Sequence, residues 1–272
     1  FGIFTCLIMQ KTLVSDTLAP EHLNSPARVS VVILAAGDGK RMQSSTPKVM
    51  TLLRGRPLID YVVYNVEVSG VCDKPIVVVS KKHTLVQEYL KDRAGYVVQA
   101  EQLGTGHAVR VAEPILYRRI DHVIVLYGDM PFLKSSSLQR LAAEHTERGN
   151  TLTLMTVTVP NFIGEFAPFQ SFGRIIRNSA GAITRSVERK DCAPEEALGR
   201  ELNPCFYCFR ADWLWPHLEK LKNNNAQGEY YLTDLVQVAI DESEKISSIA
   251  IDPNEALGIN SKEDLESLSL IV

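Results

Sequence analysis

Gly37, Gly39, Lys40, Arg41 and Lys48 lie within one short stretch of the chain, directly after an apolar run from Val29 to Ala36. Two glycines clear side chains from a loop, so that backbone N–H groups can approach phosphate oxygens, and the nearby cations offset the phosphate charge. That chemistry suits a nucleoside triphosphate. The spacing excludes the two commonest phosphate loops. In a P-loop a glycine stands five residues before Gly39 and a Ser or Thr follows the lysine, whereas here the residues are Leu34 and Arg41. A dinucleotide fingerprint has a third glycine where Met42 stands. The pattern present is L-A-A-G-x-G-x-R-M from Leu34 to Met42, followed by Pro47-Lys48.

Two further stretches place polar groups at strand ends. In QAEQLGTGHAVRVA, Gln99 closes a predicted strand, Gly104-Thr105-Gly106 turns the chain, and a helix follows. The Gln99 amide can pair with a base edge, and the Gly104 backbone can lie against a flat ring. In HVIVLYGDMPFL, Tyr127-Gly128-Asp129 ends an apolar strand. A carboxylate at such an exit is a poor core group unless it is paired. Beside a triphosphate loop it is a natural Mg²⁺ ligand, since that ion is usually held by one or two carboxylates plus substrate phosphates. The competing role, capping the helix that starts near Ser135, can be filled by Ser135 itself.

The elements needed to position these groups are legible in order. Val29–Ala36 reads as a buried parallel strand, too short to span a membrane, and residues 57–68 as a crossover helix opened by Pro57. Residues 75–80 and 95–99 read as strands flanking a helix at 84–92. A strand from His122 is followed by a helix over 138–148 and an alternating strand over 151–159. The pattern then shifts to short strands at 172–176, 182–190 and 204–210, predicting an antiparallel insert over the sheet's edge. Helices at 211–222 and 230–242, a strand at 246–251 and a short helix after Asn260 complete the reading. The expected fold is α/β: a Rossmann-like, mostly parallel sheet flanked by helices, with a small antiparallel insert, in one domain over residues 29–272.

Bulk properties narrow the partners. The 272 residues can bury a substantial core, and a net charge of −3 gives no electrostatic reason to expect nucleic acid. The five cysteines are odd in number and lack a disulfide-like pattern, which favours a reducing, cytoplasmic setting. Cys205-x-x-Cys208 lacks a second pair or nearby histidine for metal and reads equally well as strand. Residues 1–28 are read as an appendage of undefined role, with Met9 as an alternative start. Its apolar opening, FGIFTCLIM, lacks a basic flank and is too short to cross a bilayer. No membrane partner is expected, and oligomeric state is not legible.

Taken together, LAAG-x-G-x-RM, QAEQLGTGHA, YGD-x-P, FGRI, VE-x-KD, NNNAQGEYYLTD and a terminal G-x-N resemble the pyrophosphorylase half of bacterial bifunctional N-acetylglucosamine-1-phosphate uridyltransferases. These belong to the sugar-nucleotidyltransferase superfamily, and the likeness runs from about Val31 to Lys262. The resemblance implies the nucleotide-diphospho-sugar transferase fold. It implies that Leu34, Ala36 and Gly37 contact the uridine part, and that Gln99, Gly104 and Thr105 read uracil. Arg41 and Lys48 would be the catalytic cations on the phosphates, with Asp129 and Asn260 holding Mg²⁺. Tyr127, Gly173, Glu188, Asn203 and Asn260 would meet the sugar phosphate. The implied reaction joins UTP and N-acetylglucosamine 1-phosphate into UDP-N-acetylglucosamine, a cell-wall precursor, with release of pyrophosphate.

The chain departs from that pattern in two places. The usual V-L-H after Pro-Lys is Val49-Met50-Thr51, and the usual N-T-G is Asn203-Pro204-Cys205, where Pro204 removes an N–H. The second change touches sugar selectivity, so another sugar 1-phosphate is the alternative substrate. A non-catalytic sugar-nucleotide sensor on the same fold is the remoter alternative. The hexapeptide-repeat half of the bifunctional enzymes has no counterpart in these residues, and acetyl transfer is not expected of them.

Overall fold

A computed structural model describes residues 27–37, 46–225, 227–259 and 264–266. The strands are β1 (Val29–Ala35), β2 (Leu52–Leu53), β3 (Arg56–Pro57), β4 (Ile76–Ser80), β5 (Gly95–Gln99), β6 (His122–Tyr127), β7 (Leu152–Thr158), β8 (Gly173–Arg177), β9 (Ile183–Val187), β10 (Glu201–Asn203), β11 (Tyr207–Arg210) and β12 (Ile246–Ala250). The helices are α1 (Leu58–Ser69), α2 (Leu85–Leu90), α3 (Thr105–Arg110), α4 (Glu113–Leu116), α5 (Ser135–Arg148), α6 (Ala211–Lys220) and α7 (Asp234–Asp241).

β1 is central because it is apolar on both faces. Val31, Val32 and Ile33 are fully buried, and β1 pairs in parallel with β4 on one side and β6 on the other. The sheet runs β5-β4-β1-β6-β11-β7-β10-β8-β9, with β12 parallel to β7. Alternate side chains of each strand enter different layers. Val31, Ile33, Val77, Val79 and Leu126 pack with α1 and α5 on one face. Val32, Val78, Val123 and Val125 pack with α3, α6 and α7 on the other. The result is a three-layer α/β domain whose parallel strands all present their carboxyl ends along one edge. No helix among the described residues is long and apolar enough to cross a membrane.

Several boundaries differ from the sequence reading. β11 lies inside the main sheet, antiparallel to β6 and β7, because Tyr207, Cys208 and Phe209 are all fully buried and need cover on both faces. The peripheral antiparallel group is therefore β8, β9 and β10. β7 is buried from Leu152 to Val157 rather than half-exposed. α5 begins at Ser135 itself, and its preceding residue Lys134 donates its N–H to Glu255 Oε2 at 3.0 Å. Neither Ser135 nor Asp129 caps it. α7 starts at Asp234 rather than 230, because Tyr230 is held in extended pairing: its N–H donates to the Leu103 carbonyl and its own carbonyl accepts from Gly106. The proposed appendage lies outside the described residues except for Ala27 and Arg28.

Candidate active site

The carboxyl ends of β1, β5 and β6 form the floor of a cleft of about 260 Å³. Open α/β sheets bind ligands at this edge. β1 delivers Leu34, Ala36 and Gly37, β5 ends in Gln99, and the turn after β6 supplies Asp129. Gly128 makes that turn compact. Its N–H donates to the Leu34 carbonyl at 2.9 Å, and a Cβ there would come within 2.9 Å of Ile59 Cδ1 and 3.2 Å of the Leu34 carbonyl oxygen.

Gln99 is 4% exposed, so its amide must be satisfied from within. Its Nε2 donates to the Gly104 carbonyl at 3.2 Å and lies 3.1 Å from His107 Nδ1. Gly104 has a φ of +110°, and a Cβ there would meet the Tyr230 carbonyl oxygen at 2.6 Å. Only glycine fits this wall. Gln102 reaches across to β1, donating to the Ala36 carbonyl at 2.6 Å. Lys48 stands on the turn after the glycine-rich loop and its ammonium is ion-paired with Asp129.

A second cavity of about 270 Å³ adjoins the first, and Thr105, Tyr127 and Glu229 line both. Glu188, Asp191, Cys205, Tyr231 and Thr233 are among the residues that complete it. Burial raises the Tyr127 phenol well above its ordinary value, with Cys205 and Glu188 adding to the shift and a bond to Thr105 opposing it. The Asp234 carboxyl, on α7 nearby, is pushed up to about 6 by burial and then by the negative charges of Glu188 and Asp191. Thr233 is 8% exposed, and its buried Oγ1 has no hydrogen-bond partner. Such a group is costly unless a ligand or water completes it.

The structure thus gathers Leu34, Ala36, Gly37, Lys48, Gln99, Gly104, Thr105, Tyr127 and Asp129 around one cleft, with Glu188 in the adjoining cavity. Gly173 and Asn203 are register partners in β8 and β10 and line neither space. The Asn203 amide is engaged internally: Nδ2 donates to Tyr207 Oη at 2.7 Å and Ser186 Oγ at 3.1 Å, and Oδ1 accepts from the Cys205 N–H at 2.9 Å. Arg41 and Asn260 lie outside the described residues. Ile259, the residue before Asn260, donates its N–H to the Asp129 carbonyl at 3.1 Å.

Sequence reasoning assigned no individual role to Gln102, Glu229, Tyr231 or Thr233. All four stand inside stretches it had singled out, QAEQLGTGHA and NNNAQGEYYLTD, so the signal was present without a geometry to read it by.

A three-layer α/β domain with a cleft at the carboxyl edge of its parallel strands is the architecture of the doubly wound class, which binds ligands at that edge. Residues 31–238 match the MobA-like NTP transferase domain, and the chain belongs to that family of nucleotidyltransferases. Among curated proteins it is 38% identical over 242 residues to the bifunctional protein GlmU of Acetivibrio thermocellus, covering 89% of this chain and 51% of that one. The proteins of the same name from Clostridium beijerinckii and Brevibacillus brevis are each 39% identical, over 86% and 88% of this chain and 50% of their own length. The chain thus spans about half the length of these relatives.

Proposed function

We propose that this chain is a uridylyltransferase that joins UTP and N-acetylglucosamine 1-phosphate into UDP-N-acetylglucosamine and pyrophosphate. The observation that carries the reading is the convergence of Gln99, Gly104, Lys48 and Asp129 on one cleft that shares a wall with a second, polar cavity. One space suits a nucleotide and the other a sugar phosphate, with Tyr127 and Thr105 between them.

Each group has a task. The Gln99 nitrogen is held by Gly104 and His107, which leaves Oε1 as the acceptor for a base edge. Uracil N3 carries the matching hydrogen, whereas cytosine N3 does not. Lys48 and Arg41 offset phosphate charge, while Glu188 accepts from sugar hydroxyls. The sugar phosphate is already anionic, so its oxygen attacks the α-phosphorus of UTP without a protein base, the new P–O bond forming as pyrophosphate departs. Catalysis then rests on positioning and charge neutralisation.

Asp129 fits the demands of Mg²⁺. It stands at the cleft's edge, 21% exposed and ion-paired with Lys48, and no group of three or more potential metal ligands stands among the described residues. Substrate phosphates would supply the remaining oxygens, as is usual for this ion. Bound at Asp129 and Asn260, Mg²⁺ would supply charge neutralisation at the reacting phosphates.

A second reading, the same transfer to a sugar 1-phosphate bearing a free 2-hydroxyl, draws on the internal engagement of the Asn203 amide. The test is pyrophosphate release from UTP with N-acetylglucosamine 1-phosphate or glucose 1-phosphate, with and without Mg²⁺. Metal-dependent release favouring the acetamido sugar is expected. A preference for glucose moves the chain to the second reading, and silence with both sugars despite UTP binding replaces both with a sugar-nucleotide sensor.

A further inference from the structure

We propose that Arg174 is a positioning residue for the sugar phosphate, its buried guanidinium tying together two of the chain segments that wall the second cavity. The proposal rests on the uridylyltransferase reading above and deepens it.

The first observation is a buried charge held by backbone alone. Arg174, on β8, is fully buried and forms no ion pair with a carboxylate among the described residues. Its Nε and Nη2 each donate to the Ala197 carbonyl at 3.2 Å, Nη2 donates also to the Gln170 carbonyl at 3.2 Å, and Nη1 donates to the Phe172 carbonyl. The guanidinium also lies over the Phe162 ring, 4.7 Å from its centroid. Burial lowers its pKa, with Cys192 opposing and Arg189 adding to the shift, yet an arginine stays charged in any protein setting. Taking such a charge out of water is costly unless its N–H groups are matched. Filling the core alone would call for an apolar side chain.

The second observation is where those carbonyls stand. Gln170 and Phe172 flank Ser171, which lines the second cavity. Ala197 ends a run of turns that begins with Glu188, Arg189, Lys190 and Asp191, all of which line it as well. In that run the Asp191 N–H donates to the Glu188 carbonyl, and the Ala197 N–H to the Ala193 carbonyl, each at 2.9 Å. The Ala193 N–H donates to Glu196 Oε2 at 2.9 Å. In the β8–β9 pairing Arg174 is the register partner of Val187, the residue before Glu188. Arg174 therefore grips the 188–197 run at both ends, by backbone register at one and by its side chain at the other, and lines neither cavity itself.

The third observation is that both segments need such a grip. Gly164–Ser171 is a 3₁₀ stretch with Pro168 inside it, and Arg189–Asp191 and Glu196–Leu198 are three-residue 3₁₀ turns. Their hydrogen-bond geometry is poorer than that of an α-helix, so they fix their own position weakly. A planar fork of five donors can hold several carbonyls at once in a way that a lysine ammonium cannot. No residue of 170–172 or 188–197 lines the first cleft, so the grip acts on the sugar phosphate and not on the nucleotide.

The experiment measures the KM for N-acetylglucosamine 1-phosphate at saturating UTP, and the KM for UTP at saturating sugar phosphate, in wild type, Arg174→Lys and Arg174→Met. Lysine keeps the charge with fewer donors, and methionine keeps only an apolar stem. The expected result is a sugar-phosphate KM raised roughly tenfold or more by methionine and by less with lysine, with the UTP KM within about threefold of wild type, the scale on which misplaced binding groups act. Equal rises for both substrates, or a rise for neither, overturn the role of Arg174 and leave the uridylyltransferase reading standing. Hydrogen exchange on the wild type tests the same link without a variant, by comparing UDP-N-acetylglucosamine with UDP. The amides of 170–172 and 188–197 should gain protection together when the sugar is present, and protection of one segment alone, or of neither, overturns the proposal. No sugar-dependent pyrophosphate release from the wild type overturns the uridylyltransferase reading and this proposal together.

Discussion

The ammonium of Lys48 is ion-paired with the carboxylate of Asp129 at the edge of the cleft formed by β1, β5 and β6. The partners come from different connections: Lys48 from the short helical turn that follows β1, Asp129 from the turn after β6. Their side chains are 13% and 21% exposed, so the pair is partly shielded and worth more than a solvated surface contact. In the proposed reaction both groups act on the phosphates, and the ion pair holds them ready without an unmatched charge between them.

Replacing Asp129 by Ala is therefore expected to cost roughly 10²–10³ in turnover, the scale of a lost preorganised electrostatic contact. The side chain is not in the core, so the melting temperature stays within a few degrees of wild type. Steady-state kinetics beside a thermal melt checks both halves. A variant that keeps more than a tenth of wild-type turnover removes Asp129 from the metal-holding role.

In the proposed reaction Gln99 reads the base. With its nitrogen fixed by Gly104 and His107, its carbonyl oxygen favours a donor at the pyrimidine N3. Wild type is expected to prefer UTP to CTP. Gln99→Ala should weaken UTP binding roughly five- to tenfold, as for one hydrogen bond of about 1 kcal/mol, and narrow the gap to CTP. Calorimetric titration with both nucleotides measures this, and an unchanged UTP:CTP ratio in the variant would refute it.

Gly104→Ala brings a methyl group to 2.6 Å from the Tyr230 carbonyl oxygen and 2.7 Å from its nitrogen, at a φ of +110°. The backbone must shift, and the cost is on the order of 1–3 kcal/mol. The same shift moves the Tyr230 segment, which lies between both cavities. A lowered melting temperature is expected together with raised KM values for nucleotide and sugar phosphate. A rise for one substrate alone would show that the two walls are not coupled through Gly104.

The legibility of the site followed the spacing of its residues. β1, β5 and β6 were readable because buried parallel strands are continuous apolar runs, and each motif residue sits where such a run ends. β11 was misplaced because an apolar run such as Tyr207–Phe209 does not reveal which strands flank it; only the pairing with β6 and β7 does. Thr233 and Tyr231 are not legible as site residues because they reach the cavity through the non-helical 229–233 segment that precedes α7. What bends that segment there is the long-range pairing of Tyr230 with Leu103 and Gly106. The amide of Asn203, which the resemblance makes a sugar contact, bonds Tyr207, Ser186 and the Cys205 backbone, a set of partners that no local pattern encodes.

The remaining prediction concerns acid. His145 is fully buried on α5, with Nε2 3.1 Å from His122 Nδ1 and Nδ1 2.9 Å from Thr153 Oγ1. Burial, then His122 and Arg210, push it down to about 3. His122 is lowered as well, first by burial and then by Arg210, with Asp121 and Asp212 opposing. A bond between two ring nitrogens needs one acceptor, so protonating both rings destroys it. The unfolded chain takes up a proton near pH 6.5, whereas folded His145 resists to about 3. Its contribution is therefore fully present above pH 6.5 and lost as pH falls toward 3. Asp234 works in the opposite sense: with its carboxyl raised to about 6, it adds stability as pH falls through that value. Comparing wild type with His145→Gln isolates the histidine. The variant should melt at a lower temperature at pH 7.5, by about 1–3 kcal/mol for the disturbed buried bonds, and the difference should shrink by pH 4.5. Parallel melting curves across that range would show that His145 does not carry the acid sensitivity of the fold.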